Sequence, residues 1–196
     1  MSRTAEIARR TRETNVSMRL ALDGSGAGER STGVGFLDHM LDLLARHGRL
    51  DLTVEVEGDL ETGSHHTVED VGLVFGQALD RALADRHGIR RYGSAIVPMD
   101  EARTLCAIDI SGRPLLVMAA ELPPGVTGGF EHELLEEFFR AVASSAHLTL
   151  HIEVQARGNA HHTIESVFKA FARALRVAVE IDPTETGVPS TKGVLT

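Results

Sequence analysis

The chain has 196 residues, 42% of them apolar, and a net charge of −8, which fits one globular domain or two small repeats sharing a core. The acidic balance argues against nucleic acid or an anionic membrane as the main partner, though a few local Arg or Lys can still hold a small anion. Cys106 stands alone, so no intrachain disulfide forms, which suits a cytosolic setting; no apolar run is long enough to span a membrane, and Ser2–Glu6 lacks the apolar core of a secretory signal.

Residues 5–23 read as an extended segment, with Val16, Met18, Leu20 and Leu22 alternating with polar neighbours. Gly24–Gly28 is a turn and a short strand follows near 31–35. Phe36–His47 has helical spacing and stops at Gly48. Leu50–Glu57 alternates as a strand, 58–63 turns, and a helix runs from His65 to about His87. The second half repeats the order. Strands are predicted over 94–98, 104–109 and 115–120, a loop over 122–129, a helix over 134–146, a strand over 148–156 and a helix over 161–179. The segment from Pro183 to Thr196 has no periodicity and reads as a loosely ordered tail. This is an α+β pattern, an internal duplication of a sheet-plus-helices unit, with pseudo-repeats of about 1–92 and 93–182 packed together in a single domain spanning 1–196.

The duplication is clearest at His65-His66-Thr67-Val68-Glu69, which recurs as His161-His162-Thr163-Ile164-Glu165 at an offset of 96 positions. The same offset pairs Val71, Phe75, Ala78, Leu79 and Ala82 with identical residue types. On a helix with about 100° per residue, Glu69 falls between His65 and His66, and all three share a face. Adjacent histidines diverge by roughly a quarter turn, so they suit two metal ions, one each. A single His-His pair at a helix start is as readily a solvated or capping pair; two copies in register are not. His39 on the preceding helix, and Glu137 at the corresponding place in the second half, are further candidate ligands, with His132 a rival to Glu137. Eight imidazole and carboxylate ligands for two ions leave coordination positions open for substrate and fit manganese, iron, cobalt or zinc. His47, His87, His147 and His151 have no repeat partner and read as surface or core residues. Arg90-Arg91, Arg113 and Ser190-Thr191-Lys192 suit a phosphate. Glu13 and Asp100-Glu101 are carboxylates of the kind that serve as acid or base, with nothing local to single them out.

Phe36-Leu37-Asp38-His39-Met40, the two His-His-Thr-x-Glu motifs, Pro98-Met99-Asp100-Glu101, Ser111-Gly112-Arg113-Pro114, Phe168-Lys169-Ala170 and Pro189-Ser190-Thr191-Lys192-Gly193 together resemble the imidazoleglycerol-phosphate dehydratases of histidine biosynthesis, in order and over nearly the whole chain. The resemblance implies a cytoplasmic hydro-lyase that converts imidazole glycerol phosphate to imidazole acetol phosphate, with two Mn²⁺ per active site. It also implies a 24-subunit homo-oligomer with sites between subunits. One ion would take His39, His66, His161 and Glu165; the other His65, Glu69, His162 and position 137, where most of the family has His and this chain has Glu. Glu13, Arg91, Arg113, Lys169, Ser190, Thr191 and Lys192 would contact substrate, with Glu13, Glu165 or Glu69 moving the proton. The expected chemistry is imidazolate formation, loss of hydroxyl to a diazafulvene, then deprotonation to an enol. A dinuclear metallohydrolase and a non-enzymatic, metal-joined shell are the alternatives.

Overall fold

The computed structural model describes residues 3–195. Met1 and Ser2, at the start of the first expected repeat, and Thr196, at the end of the tail, lie outside them. The first half contains β1 (Thr4–Arg10), β2 (Thr14–Ala21), β3 (Arg30–Ser31), α1 (Gly35–Gly48), β4 (Asp51–Gly58) and α2 (His65–Leu83). The second contains β5 (Tyr92–Met99), β6 (Ala102–Asp109), β7 (Leu115–Ala119), β8 (Val126–Thr127), β9 (Phe130–Glu131), α3 (Leu134–Ser145), β10 (Thr149–Ala156) and α4 (Ala160–Val179). The sheets run β1-β2-β4-β3 and β5-β6-β10-β7, the same order in each half. In both, the last strand of the order runs parallel to its neighbour and the other pairs are antiparallel.

The segment expected to be extended from 5 to 23 is a hairpin. Arg10–Glu13 contains no Gly, Pro or Asn to announce a turn. Instead the Thr11 hydroxyl accepts the N–H groups of Glu13 and Thr14, both at 3.0 Å, and turns the chain through a side chain. Alternation then buries Val16, Met18 and Leu20 on the inner face of β2. Two further differences are local. Helix α2 stops at Leu83 rather than near His87, because Ala84 and Arg86 take positive φ. The 122–129 loop holds the small β8–β9 hairpin.

Each motif helix lies on its own sheet and packs against the short helix of the other half, α2 with α3 and α4 with α1. Phe75 and Phe171 are repeat equivalents, and their rings meet at 6.5 Å. Contact between equivalent residues is what a pseudo-twofold axis between α2 and α4 requires. Around it Phe138, Phe139 and Phe168 stack at 5.1 Å and are fully buried. Side chains of this size each stabilise the fold by about 1.5–3 kcal/mol through burial. The axis carries both His-His starts on helices anchored in one continuous core.

The tail is more ordered than its composition suggests. Ile89 bridges Ile181, the Gly88 N–H donates to Gly187 O at 2.8 Å, and the buried Arg86 guanidinium donates to Leu195 O.

Candidate active site

Helix α4 begins where it does because the Asn159 side chain accepts the His161 N–H at 2.8 Å, an N-cap that places His161 and His162 in the first turn. Helix α2 begins differently: the Ser64 hydroxyl donates across the pseudo-axis to Glu131 of β9. Asp38 accepts the Thr32 N–H and hydroxyl, both at 2.8 Å, which pins the start of α1 and leaves His39 to face α4.

His39 Nε2 and His161 Nε2 both approach the same oxygen, Glu165 Oε1, at 3.0 and 2.9 Å. The other Glu165 oxygen accepts from Lys169 Nζ at 2.6 Å. Burial alone would raise the Glu165 carboxyl, but the bonds from Lys169, His39 and His161 overcome it and hold the group at about 2. The result is an ionised, buried carboxylate with two imidazoles on one of its oxygens. Phe36 packs edge-on against His161 at 4.9 Å and fixes that ring.

In the first repeat the pattern is looser. His65 Nε2 lies 3.8 Å from Glu69, and both side chains are half exposed. His66 turns away: its Nδ1 meets the Asp59 carboxylate at 3.0 and 3.1 Å, and its Nε2 lies 3.8 Å from Glu13. His162 likewise turns its Nδ1 to Glu101, at 3.0 and 3.2 Å. The bond to Asp59 raises the His66 imidazole above its ordinary value, and the bond to Glu101 does the same for His162. Glu101 is itself lowered to about 2, chiefly by the Asn159 N–H.

Among the described residues, ligand atoms converge in groups of three at His39, His161 and Glu165 and at Asp100, Glu101 and His162. Of the first expected ligand set, three members meet and His66 stands elsewhere. Of the second, His65 and Glu69 lie near one another, His162 faces Glu101, and Glu137 points to Arg140 at 3.7 Å. His132 uses both ring nitrogens inside its own loop, with Pro123 O at 2.8 Å and the Thr127 hydroxyl at 2.9 Å.

The basic residues form a second cluster. Arg91 donates to both Asp109 oxygens, at 2.7 and 3.2 Å, and to Pro189 O at 2.9 Å. That fork ties the strand start to the tail immediately before Ser190, Thr191 and Lys192. Arg113, exposed, reaches the same Asp109 at 3.9 Å. Lys169 belongs with Glu165 instead. Sequence reasoning missed Asp59 altogether and left Glu101 undistinguished. Asp59 has Arg157 at its equivalent place, and Glu101 answers Glu13 in the matching hairpin turn at a different spacing from the motifs, so the offset that found the histidines did not reach their partners.

The family model for imidazoleglycerol-phosphate dehydratase matches residues 32–175. A protein of that name from Moorella thermoacetica is 57% identical over 195 residues, covering 100% of both chains. The crystal structure of the enzyme from Staphylococcus aureus aligns with a TM-score of 0.83 at 41% identity, over 91% of this chain and 99% of that one. The Pyrococcus furiosus enzyme, crystallised in complex with (S)-C348, aligns with a TM-score of 0.83 at 35% identity, over 96% and 100%.

Proposed function

Since this chain belongs to the imidazoleglycerol-phosphate dehydratase family, the hydro-lyases of histidine biosynthesis, we propose that it carries out that dehydration with two Mn²⁺ ions per active site. The observation that carries the metal dependence is the meeting of His39 Nε2 and His161 Nε2 on one Glu165 oxygen. Two neutral imidazoles and a carboxylate fit a divalent ion of the manganese-to-zinc series. His39, His161 and Glu165 would hold one ion and His65, Glu69 and position 137 the other. His66 and His162 would complete the sites of neighbouring copies, in keeping with sites between subunits of a 24-subunit assembly. Glu137 offers a carboxylate where a histidine is usual, while His132 is committed to Pro123 and Thr127. Bound manganese would supply Lewis-acid stabilisation of charge on the substrate's imidazole ring.

The chain's own residues do the rest. Arg91, Arg113, Lys169, Ser190, Thr191 and Lys192 would hold the phosphate end, with Arg91 bracing the tail through Pro189. The ring, having lost its N–H proton, would expel the hydroxyl from the adjoining carbon with its bonding pair, giving a diazafulvene, and the departing hydroxide would take up a proton to leave as water. A carboxylate then takes the proton from the next carbon, and the enol relaxes to the ketone. Glu165 would be taken up by the first ion and accepts from Lys169 Nζ, so neither of its oxygens is free for this step. Glu69 faces His65. Glu13 is exposed beside His66 and free to act, so the proton is assigned to it. No helix among the described residues is long and apolar enough to cross a membrane, which agrees with a cytoplasmic setting.

The test is turnover of imidazole glycerol phosphate by metal-stripped protein, with and without added Mn²⁺. Ketone formation that depends on Mn²⁺ is expected. Equal turnover in both arms would remove the ions from the reaction.

A further inference from the structure

The two histidines of each motif are treated differently by the fold. His65 and His161 direct Nε2 at a carboxylate four residues on in their own helix. His66 and His162 instead give Nδ1 to a carboxylate from outside the helix, Asp59 and Glu101. An ionised carboxylate only accepts, so each of these Nδ1 atoms carries the hydrogen, and in the neutral ring Nε2 is then the nitrogen that holds the lone pair. We propose that Asp59 and Glu101 are positioning residues, which fix the Nδ1–H tautomer of His66 and His162 and present Nε2 as a metal ligand to a neighbouring copy of the chain.

The two carboxylates are not repeat equivalents of one another. Asp59 follows β4, whereas Glu101 sits in the turn between β5 and β6. By the matched sheet order the equivalent of Glu101 is Glu13 in the β1–β2 turn, which lies 3.8 Å from His66 Nε2, and the residue after β10 that answers Asp59 is Arg157. The same bond, to the same ring nitrogen, is therefore made from non-equivalent places in the two repeats. A chance surface ion pair has no reason to recur in this way; a requirement on the ring does. Both residues are anchored, Asp59 through its backbone and Glu101 through its carboxylate. The Asp59 N–H donates to Glu13 O at 3.0 Å, and Glu101 accepts the Asn159 N–H at 2.7 Å. A carboxylate bonded to the far nitrogen orients a ligating imidazole and raises its basicity, and its loss typically weakens metal binding by roughly 10- to 100-fold.

The inference rests on the metal reading above, so its test separates the two. Asp59 is the cleaner target, since its carboxylate bonds to His66, while Glu101 also holds the N-cap of α4. Intact metal-stripped protein with ¹⁵N-labelled histidine is examined by solid-state NMR, then titrated with Mn²⁺ by calorimetry. Wild type should show His66 and His162 as Nδ1–H and bind two ions per chain. Asp59→Ala should shift His66 toward Nε2–H and weaken one class of ion by roughly 10- to 100-fold, sparing the other. Glu101→Ala should do the same for His162 and the other class, and Asp59→Asn, which keeps an acceptor, should restore most of the affinity. Wild type that takes up no Mn²⁺ would overturn the metal reading and this inference with it. Two ions bound with unchanged affinity in Asp59→Ala and Glu101→Ala, and unaltered tautomers, would overturn the positioning role alone.

Discussion

In the metal-free chain Glu165 carries its charge inside the protein, with Lys169 Nζ at 2.6 Å on one oxygen and two imidazoles on the other. Its folded value of about 2 lies below the ordinary 4.5. A group depressed in this way contributes stability above its unfolded value, and the contribution is lost as pH falls through the folded one. Glu165→Gln should therefore lower the urea midpoint of metal-stripped protein at neutral pH. The gap between variant and parent should narrow as pH falls from about 4.5 toward 2, because the parent then loses the same charge. Glu13 is the opposite kind of residue, exposed and 3.8 Å from His66 Nε2. Glu13→Gln should leave Mn²⁺ content unchanged and reduce turnover by roughly 10²- to 10⁴-fold, the range for a lost general base. Paired metal analysis and steady-state kinetics would check it, and unchanged turnover would take Glu13 out of the mechanism.

At the scale of elements, the pairing of α2 with α3 depends on two glycines. A Cβ on Gly72 would meet Phe138 O at 2.7 Å and Ala141 Cβ at 2.9 Å, and one on Gly76 would meet Val142 O at 2.8 Å. The equivalents in α4 are Phe168 and Ala172, so the two helix pairs have unlike packing despite their common origin. Gly72→Ala gains about 1 kcal/mol of helix propensity. It must also push two backbones apart, and overpacking of this kind costs about 1–3 kcal/mol. A net loss of stability in equilibrium urea unfolding is expected, although the substitution favours an isolated helix. The spread of α2 from α3 would also move His65 relative to Glu137, so the same variant should weaken Mn²⁺ binding.

Across the whole molecule the two sheets differ on their outer faces. The first presents Glu6, Ser17, Arg19, Thr53 and Glu55, which are polar. The second presents Tyr92 and Ile96 on β5 and Leu115 and Val117 on β7, all exposed. Register places Ile96 opposite Leu105, and Thr149 opposite Leu115, in rows that cross the sheet. A polar face can remain solvated, whereas exposed apolar side chains gathered on both edge strands, here flanking His151 and Glu153 of β10, commonly mark an interface. Assembly of copies should therefore use the second sheet. Ile96→Glu should shift the mass measured by light scattering toward smaller species and, with sites shared between copies, reduce bound Mn²⁺ in parallel.

Much of this was legible in the residues alone. The repeat of His-His-Thr-x-Glu located α2 and α4 and the faces that present their histidines and glutamates, because helix geometry converts spacing into direction. Alternation in Val16, Met18 and Leu20 identified the buried face of β2, because a strand turns one residue in two toward the core. The turn at Thr11 escaped notice, since a side-chain acceptor replaced the backbone freedom that marks most turns. The order in the tail escaped too. Its anchors, Arg86 and Arg91, lie about a hundred residues away, and no local pattern reports such a contact. The sequence by itself determined that two copies of one His-His-Thr-x-Glu motif open two helices, and so which side chains stand at their starts. Only the tertiary structure decided how they are grouped, with His39, His161 and Glu165 gathered and His66 and His162 turned to Asp59 and Glu101. The reason is that a ring's direction depends on which distant carboxylate reaches its second nitrogen, and that is a property of the packed chain.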